Sequence, residues 1–188
     1  MIYDVVELVP LQKALDEDIA SRHNLSYAST SNRRLLALFV EIGEFANSTR
    51  TFKFWSTKGP ESKARILDEA ADCLHFFLGI FIEKGIEKRI FDIDPKETDG
   101  VELTDLFLKI YSNLSEFNHL SDNKYLLQAF TSFLQVVRKL GFSNVDLVNG
   151  YKLKLNVNYN RQKSNYWGII YGIQLWWRNL FLNRYYTS

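Results

Sequence analysis

Apolar residues recur at helical intervals along most of this chain, and only three prolines interrupt it, at Pro10, Pro60 and Pro95. Leu11, Leu15 and Ile19 follow that spacing, as do Leu35, Leu38, Phe39, Ile42 and Phe45, and then Ile66, Ala70, Leu74, Phe77 and Phe81. Leu103, Leu106, Phe107 and Ile110 repeat it, followed by Leu126, Leu127, Phe130, Phe133, Leu134 and Val137. Spacing of three and four residues puts side chains on one face of an α-helix, whereas strands need alternation. Alternation is scarce; the short run Lys152–Asn158 (KLKLNVN) is ambiguous between the two. Turn chemistry predicts the breaks. The polar segment 26–32 is expected to precede a helix near 32–48, and Lys58-Gly-Pro-Glu-Ser to separate it from one near 61–84. Residues 92–100 form the longest polar connection, and Leu140-Gly-Phe-Ser-Asn ends a helix near 122–140. The expected fold is all-α, a bundle of five to six helices with its active site built between helices.

The 188 residues make one ordinary domain, and 46% hydrophobic against 24% charged residues excludes wholesale disorder. Net charge is +1 but unevenly spread: every acidic residue lies within 1–146, while 147–188 holds six Lys and Arg and no acid. The balanced total argues against bulk nucleic-acid binding. Cys73 is the only cysteine, so no intramolecular disulfide and no Cys-based metal site can form. The start, MIYDVVELVP, has no basic stretch followed by a long apolar run, so a cytoplasmic, reducing setting is the expectation.

The chemistry concentrates in four carboxylates. Glu41 and Glu44 are an i,i+3 pair, and so are Glu69 and Asp72. Both pairs sit within apolar stretches, where unpaired charge is costly. Two helices aiming two acids each at one spot would crowd like charges; at ~4 Å and a dielectric near 20, each close pair costs roughly 4 kcal/mol. Divalent cations remove that cost, and oxygen-only ligation selects a hard ion, Mg²⁺ or Mn²⁺. Either pair alone also fits an ordinary exposed helix face. Their occurrence on consecutive helices favours the metal reading, with the aromatic, basic segment Thr51-Phe-Lys-Phe-Trp-Ser-Thr between them.

EIGEFANSTRTFKFWS followed by ILDEAADCLHFFL resembles the dimeric all-α dUTPases of the all-α NTP pyrophosphatase superfamily, whose metal signature is ExxE, a spacer, then ExxD. The spacer here, from Glu44 to Glu69, is 24 residues. A third segment, Lys154 through Asn158 and Arg161 to Tyr166, is similar to the family's last motif. The resemblance spans roughly residues 8–166 and implies hydrolysis of dUTP to dUMP and pyrophosphate, with dUDP as a second substrate. It implies that Glu41, Glu44, Glu69 and Asp72 hold two or three Mg²⁺ ions, Mn²⁺ being able to substitute, and that one carboxylate takes the proton of the attacking water; Glu41 is the choice here, with Glu44 the alternative that sequence does not separate from it. Lys154, Arg161 and Tyr166 would bind phosphate oxygens, with Asn158 close by and Lys53 as a fourth cation near the metals. Arg offers a planar fork and Lys a point charge for this purpose. Trp55 and His75 would form the nucleoside pocket, and Gln12 would read uracil through its amide, although periodicity alone puts Gln12 on the surface. A pocket bonded to uracil O4 and N3–H leaves groups unpaired when cytosine enters. Cys73 reads as a small buried hydrophobe.

Residues 167–188 depart from the family: WGIIYGIQLWWRNLFLNRYYTS is rich in aromatics and has Trp167 where a basic residue is usual. Gln174, Arg178 and Asn179 interrupt it, which argues against a membrane span; packing onto the bundle or a subunit contact is expected. The domain expectation is 1–166 plus this tail, in a homodimer acting on a small nucleotide. Two alternatives remain at this level: a related pyrophosphatase with dCTP or broad preference, and a non-catalytic helical interaction module.

Overall fold

The computed structural model describes residues 1–163 of the chain. Among these, six α-helices carry the fold: α1 (Leu8–His23), α2 (Tyr27–Thr49), α3 (Lys63–Glu83), α4 (Leu103–Leu120), α5 (Asn123–Lys139) and α6 (Asn144–Lys163). Two short strands, β1 (Ile2–Asp4) and β2 (Ile90–Asp92), pair antiparallel with Tyr3 opposite Phe91. Helix dominates, as the periodicity predicts. The chain divides into two compact units, Met1–Lys154 and Leu155–Ser188. Of the second, the described residues 155–163 are the last turns of α6. No helix among the described residues is long and apolar enough to cross a membrane.

Helix α2 packs along α3, and α4 along α5. The core between them is aromatic: Phe77, Phe81 and Phe91 each lie against Phe130 with ring centroids 4.8–5.0 Å apart, and Phe45 meets Phe107 edge-on at 5.3 Å. Phe91 explains the small ribbon. It carries an apolar side chain from outside the helices into this cluster, with Tyr3 buried beside it on the partner strand.

Two local expectations change and one ambiguity is resolved. Helix α2 starts at Tyr27, not near 32, because the Ser-rich segment caps the helix from within it. The Ser26 side chain accepts from the Ser29 N–H at 3.1 Å while Ser29 Oγ accepts from the Ser26 N–H at 2.9 Å. Tertiary bonds then hold the first turns: Tyr27 donates to Asp16 at 2.8 Å and Ser31 to Glu83 at 2.6 Å. The KLKLNVN run is helical, in α6, whose start is fixed by a reciprocal Ser143–Asp146 cap. In α1 the fully buried stripe is Leu8, Gln12 and Leu15. Gln12 therefore lies inside, 4% exposed, and not on the surface.

Two glycines set how closely helices approach near the carboxylates. A Cβ on Gly150 would stand 3.1 Å from Leu67 Cγ, so α6 closes onto α3 there. A Cβ on Gly43 would stand 3.1 Å from the Tyr111 hydroxyl, which reaches over α2 to donate to the Phe39 carbonyl.

Candidate metal centre

The register that ties Ser31 and Arg34 at the start of α2 to Glu83 at the end of α3 is antiparallel. It brings Glu41 level with Asp72 and Glu44 level with Glu69. Glu41, Glu69 and Asp72 each offer a carboxylate oxygen, all within 4.8 Å of one another. Glu69 is buried, Glu41 and Asp72 are half-buried, and Glu44 is exposed one turn along α2, outside this triad.

The triad is electrostatically unfinished. Burial first, and then the charges of Asp72, Glu44 and Glu69, push the Glu41 carboxyl from 4.5 up to about 7. Burial also raises Glu69, against the pull of Arg65, with Glu44 and Asp72 adding to the rise. Two cations of the chain itself partly offset the crowding. Arg65, one turn before Glu69 on α3, forms an ion pair with it and donates to Asp68 at 2.8 Å. Lys154, only 6% exposed, reaches from α6 to Asp72 at 2.5 Å and Asp68 at 3.1 Å. Burial pulls the Lys154 ammonium down, but the two carboxylates outweigh it and hold it above its ordinary value.

These residues fit a divalent ion. Around an octahedral Mg²⁺ with bonds of about 2.1 Å, ligand oxygens stand about 3 Å apart when adjacent and about 4.2 Å apart when opposite. A spread of 4.8 Å is within sub-ångström side-chain adjustment of that geometry, and the donor set is oxygen alone. Cys73 lies beneath the triad, fully buried, with its thiol raised well above its usual value by burial and then by the neighbouring carboxylates. It supplies no thiolate, in keeping with a packing role.

A second polar cluster starts one turn on, at His75. Asp16 decides its orientation. Gln12 Nε2 donates to Asp16 at 2.9 Å, which turns Gln12 Oε1 towards His75 Nδ1 at 2.8 Å and the Tyr151 hydroxyl at 2.9 Å. The carbonyl oxygen can only accept, so the imidazole carries its proton on Nδ1. His75 stacks on Tyr151 with ring centroids 4.0 Å apart and is 5% exposed. Burial lowers its pKa to about 3, although the Tyr151 main chain favours the charged form, so the ring is neutral. Nε2 remains as a buried acceptor with no hydrogen-bond partner among the described residues.

The structure thus brings Gln12 and His75 together. It seats Trp55 differently, in the turn after α2, 65% exposed and edge-on to Phe54 at 5.0 Å. Arg50 shapes that turn by donating to the Lys58 carbonyl at 3.0 Å and to Ser56 Oγ at 2.8 Å. Lys53, half-buried, lies with its ammonium 5.5 Å from the Phe52 ring centre. Helix α6 carries Lys154, Asn158 and Arg161 at successive spacings of four and three, the last two half-buried. Tyr166 and the 167–188 tail lie outside the described residues. Sequence reasoning missed Arg65, Asp68, Asp16 and Tyr151. A signal existed for the first two, since Arg65 stands i,i+3 and i,i+4 from Asp68 and Glu69.

A family model described as dUTPase matches residues 4–166 of the chain. No curated protein matches it.

Proposed function

The chain belongs to an all-α dUTPase family, which makes it a hydrolase acting as a dUTP diphosphatase, and we propose that it works with Mg²⁺ held by Glu41, Glu44, Glu69 and Asp72. The observation that carries this reading is the meeting of three carboxylates from two antiparallel helices within 4.8 Å. Mn²⁺ can substitute, because the donors are all carboxylate oxygens. When bound, two or three such ions polarise the phosphoryl under attack and stabilise the leaving oxygen.

The remaining steps fall to the chain. Glu41 takes the proton from the attacking water; its burial among like charges, which raises its proton affinity, supports this choice over the exposed Glu44. Lys154, Arg161 and Tyr166 bind phosphate oxygens, Asn158 stands with them, and Lys53 adds a cation from the turn after α2. Trp55 offers a stacking face to the base. His75 offers Nε2, an acceptor suited to uracil N3–H and mismatched to the N3 acceptor of cytosine. Gln12 acts on the base through His75, because its own amide oxygen is engaged within the protein. The enzyme works as a homodimer in a reducing, cytoplasmic setting, to which a single buried cysteine is suited.

The test is hydrolysis of dUTP, dCTP, dTTP and UTP with pyrophosphate readout, with and without Mg²⁺. The expected result is turnover of dUTP above the other three, abolished by chelation. Turnover unaffected by chelation would overturn the metal role, and preferred hydrolysis of dCTP would overturn the base assignment.

A further inference from the structure

Asp68 precedes the second carboxylate pair and lies outside the ExxE and ExxD spacing, yet one of its oxygens joins both cations of the site. Oδ2 accepts from Arg65 at 2.8 Å and from Lys154 at 3.1 Å. Each of these cations has a second carboxylate partner, and that partner belongs to the triad: Glu69 for Arg65, and Asp72 for Lys154. The arrangement is a bracket. A divalent cation that takes Glu69 and Asp72 must displace a guanidinium from one and an ammonium from the other. Both displaced groups already have an alternative anion at hydrogen-bond distance.

We propose that Asp68 is a positioning residue which holds Arg65 and Lys154 when a divalent cation takes Glu69 and Asp72, and so eases entry of that cation. The proposal rests on the metal reading of the triad. In it, Arg65 and Lys154 balance charge at the triad until the ion arrives, and Asp68 keeps them beside the site afterwards. Lys154 is then retained at the edge of the triad, on the helix that also carries Asn158 and Arg161. Without the Asp68 charge, Lys154 has only Asp72 as an ion-pair partner among the described residues, and Arg65 has, besides Glu69, only Glu61 at 3.9 Å, so both compete harder for the triad. Asp68 is more than a third exposed and Arg65 about half exposed, so an Asp68→Asn substitution is compatible with folding.

The experiment is Mn²⁺ binding to the full chain without nucleotide, read from the loss of the free-ion EPR signal. Wild type, Asp68→Asn, Arg65→Gln, Arg65→Gln/Lys154→Gln and the triple variant are compared, with folding checked by circular dichroism. Asp68→Asn is expected to raise the Mn²⁺ Kd by about tenfold, the scale of losses for groups that support metal ligands. Arg65→Gln is expected to lower Kd, because a competitor for Glu69 is gone. In the background lacking both cations, adding Asp68→Asn is expected to leave Kd unchanged. This double-mutant logic separates action through the cations from direct ligation or plain charge loss. An unchanged Kd in Asp68→Asn, or a tenfold effect that persists in that background, overturns the proposal. A wild type that binds no Mn²⁺ overturns the metal reading as well, which distinguishes the two failures.

Discussion

Two polar regions lie one turn apart on α3, and they differ in how far their needs are met. Around Gln12 and His75 nearly every donor has an acceptor: Nδ1 with Gln12 Oε1, the Tyr151 hydroxyl with the same oxygen, Gln12 Nε2 and Tyr27 with Asp16. Around Glu41, Glu69 and Asp72 charge exceeds compensation even with Arg65 and Lys154 in place, and burial, with this crowding added to it, raises both Glu41 and Glu69. A network whose donors are met fixes geometry, whereas a crowded anionic one binds what it lacks. The first region is therefore expected to matter to stability as well as to base recognition, and the second to the chemical step.

The sharpest way to break this comparison is at Glu41, which accepts no ion pair from the chain's own cations among the described residues. Glu41→Gln is expected to lower kcat/KM for dUTP by about 10²–10⁴-fold. Chelated protein of this variant should melt no lower than wild type, since a crowded charge has been removed. A parallel loss of activity and melting temperature would erase the distinction.

Gln12→Leu, by contrast, should cost stability. It strips the His75 N–H, the Tyr151 hydroxyl and Asp16 of one partner each, and the cost of stranding such buried groups is about 1–3 kcal/mol apiece. Urea denaturation is expected to show a loss of that order, about 2–3 kcal/mol in total after relaxation. An unchanged midpoint would mean that the network is not closed.

A third test is the pH dependence of chelated protein, where the two regions should slope in opposite directions. Glu41 has a folded pKa raised from 4.5 to about 7. Its contribution is present below 4.5 and is lost as pH rises towards 7, because the unfolded chain releases the proton first. His75 has a folded pKa lowered from 6.5 to about 3. Its contribution is present above 6.5 and is lost as pH falls towards 3, because the unfolded chain takes up a proton that the folded one refuses. Melts of Glu41→Gln and His75→Asn across this range should each flatten one slope and leave the other.

The sequence made α3 legible because both signals fall in one stretch: Ile66 to Phe81 supply the buried face, and Glu69 and Asp72 stand out against it. The first turns of α2 were illegible for a physical reason. Ser, Thr and Asn compete with helix locally, and the bonds that settle the matter, Tyr27 to Asp16 and Ser31 to Glu83, come from α1 and α3. Gln12 hid in the same way. A polar residue on an apolar stripe reads as exposed until His75 and Tyr151, 63 and 139 positions away, are seen to use it. Spacing marked four carboxylates on consecutive helices, of which Glu41, Glu69 and Asp72 meet, but the Arg65–Asp68–Lys154 bracket needed α6 brought onto α3 at Gly150. Spacing shows what shares a helix face; it does not show what a distant helix sets against that face.

The most direct measurement is anomalous diffraction from crystals grown with Mn²⁺. The metal reading predicts a peak bonded to oxygens of Glu41, Glu69 and Asp72, with Lys154 moved off Asp72. Crystals saturated with Mn²⁺ that show no peak there, and Lys154 still paired with Asp72, would contradict it.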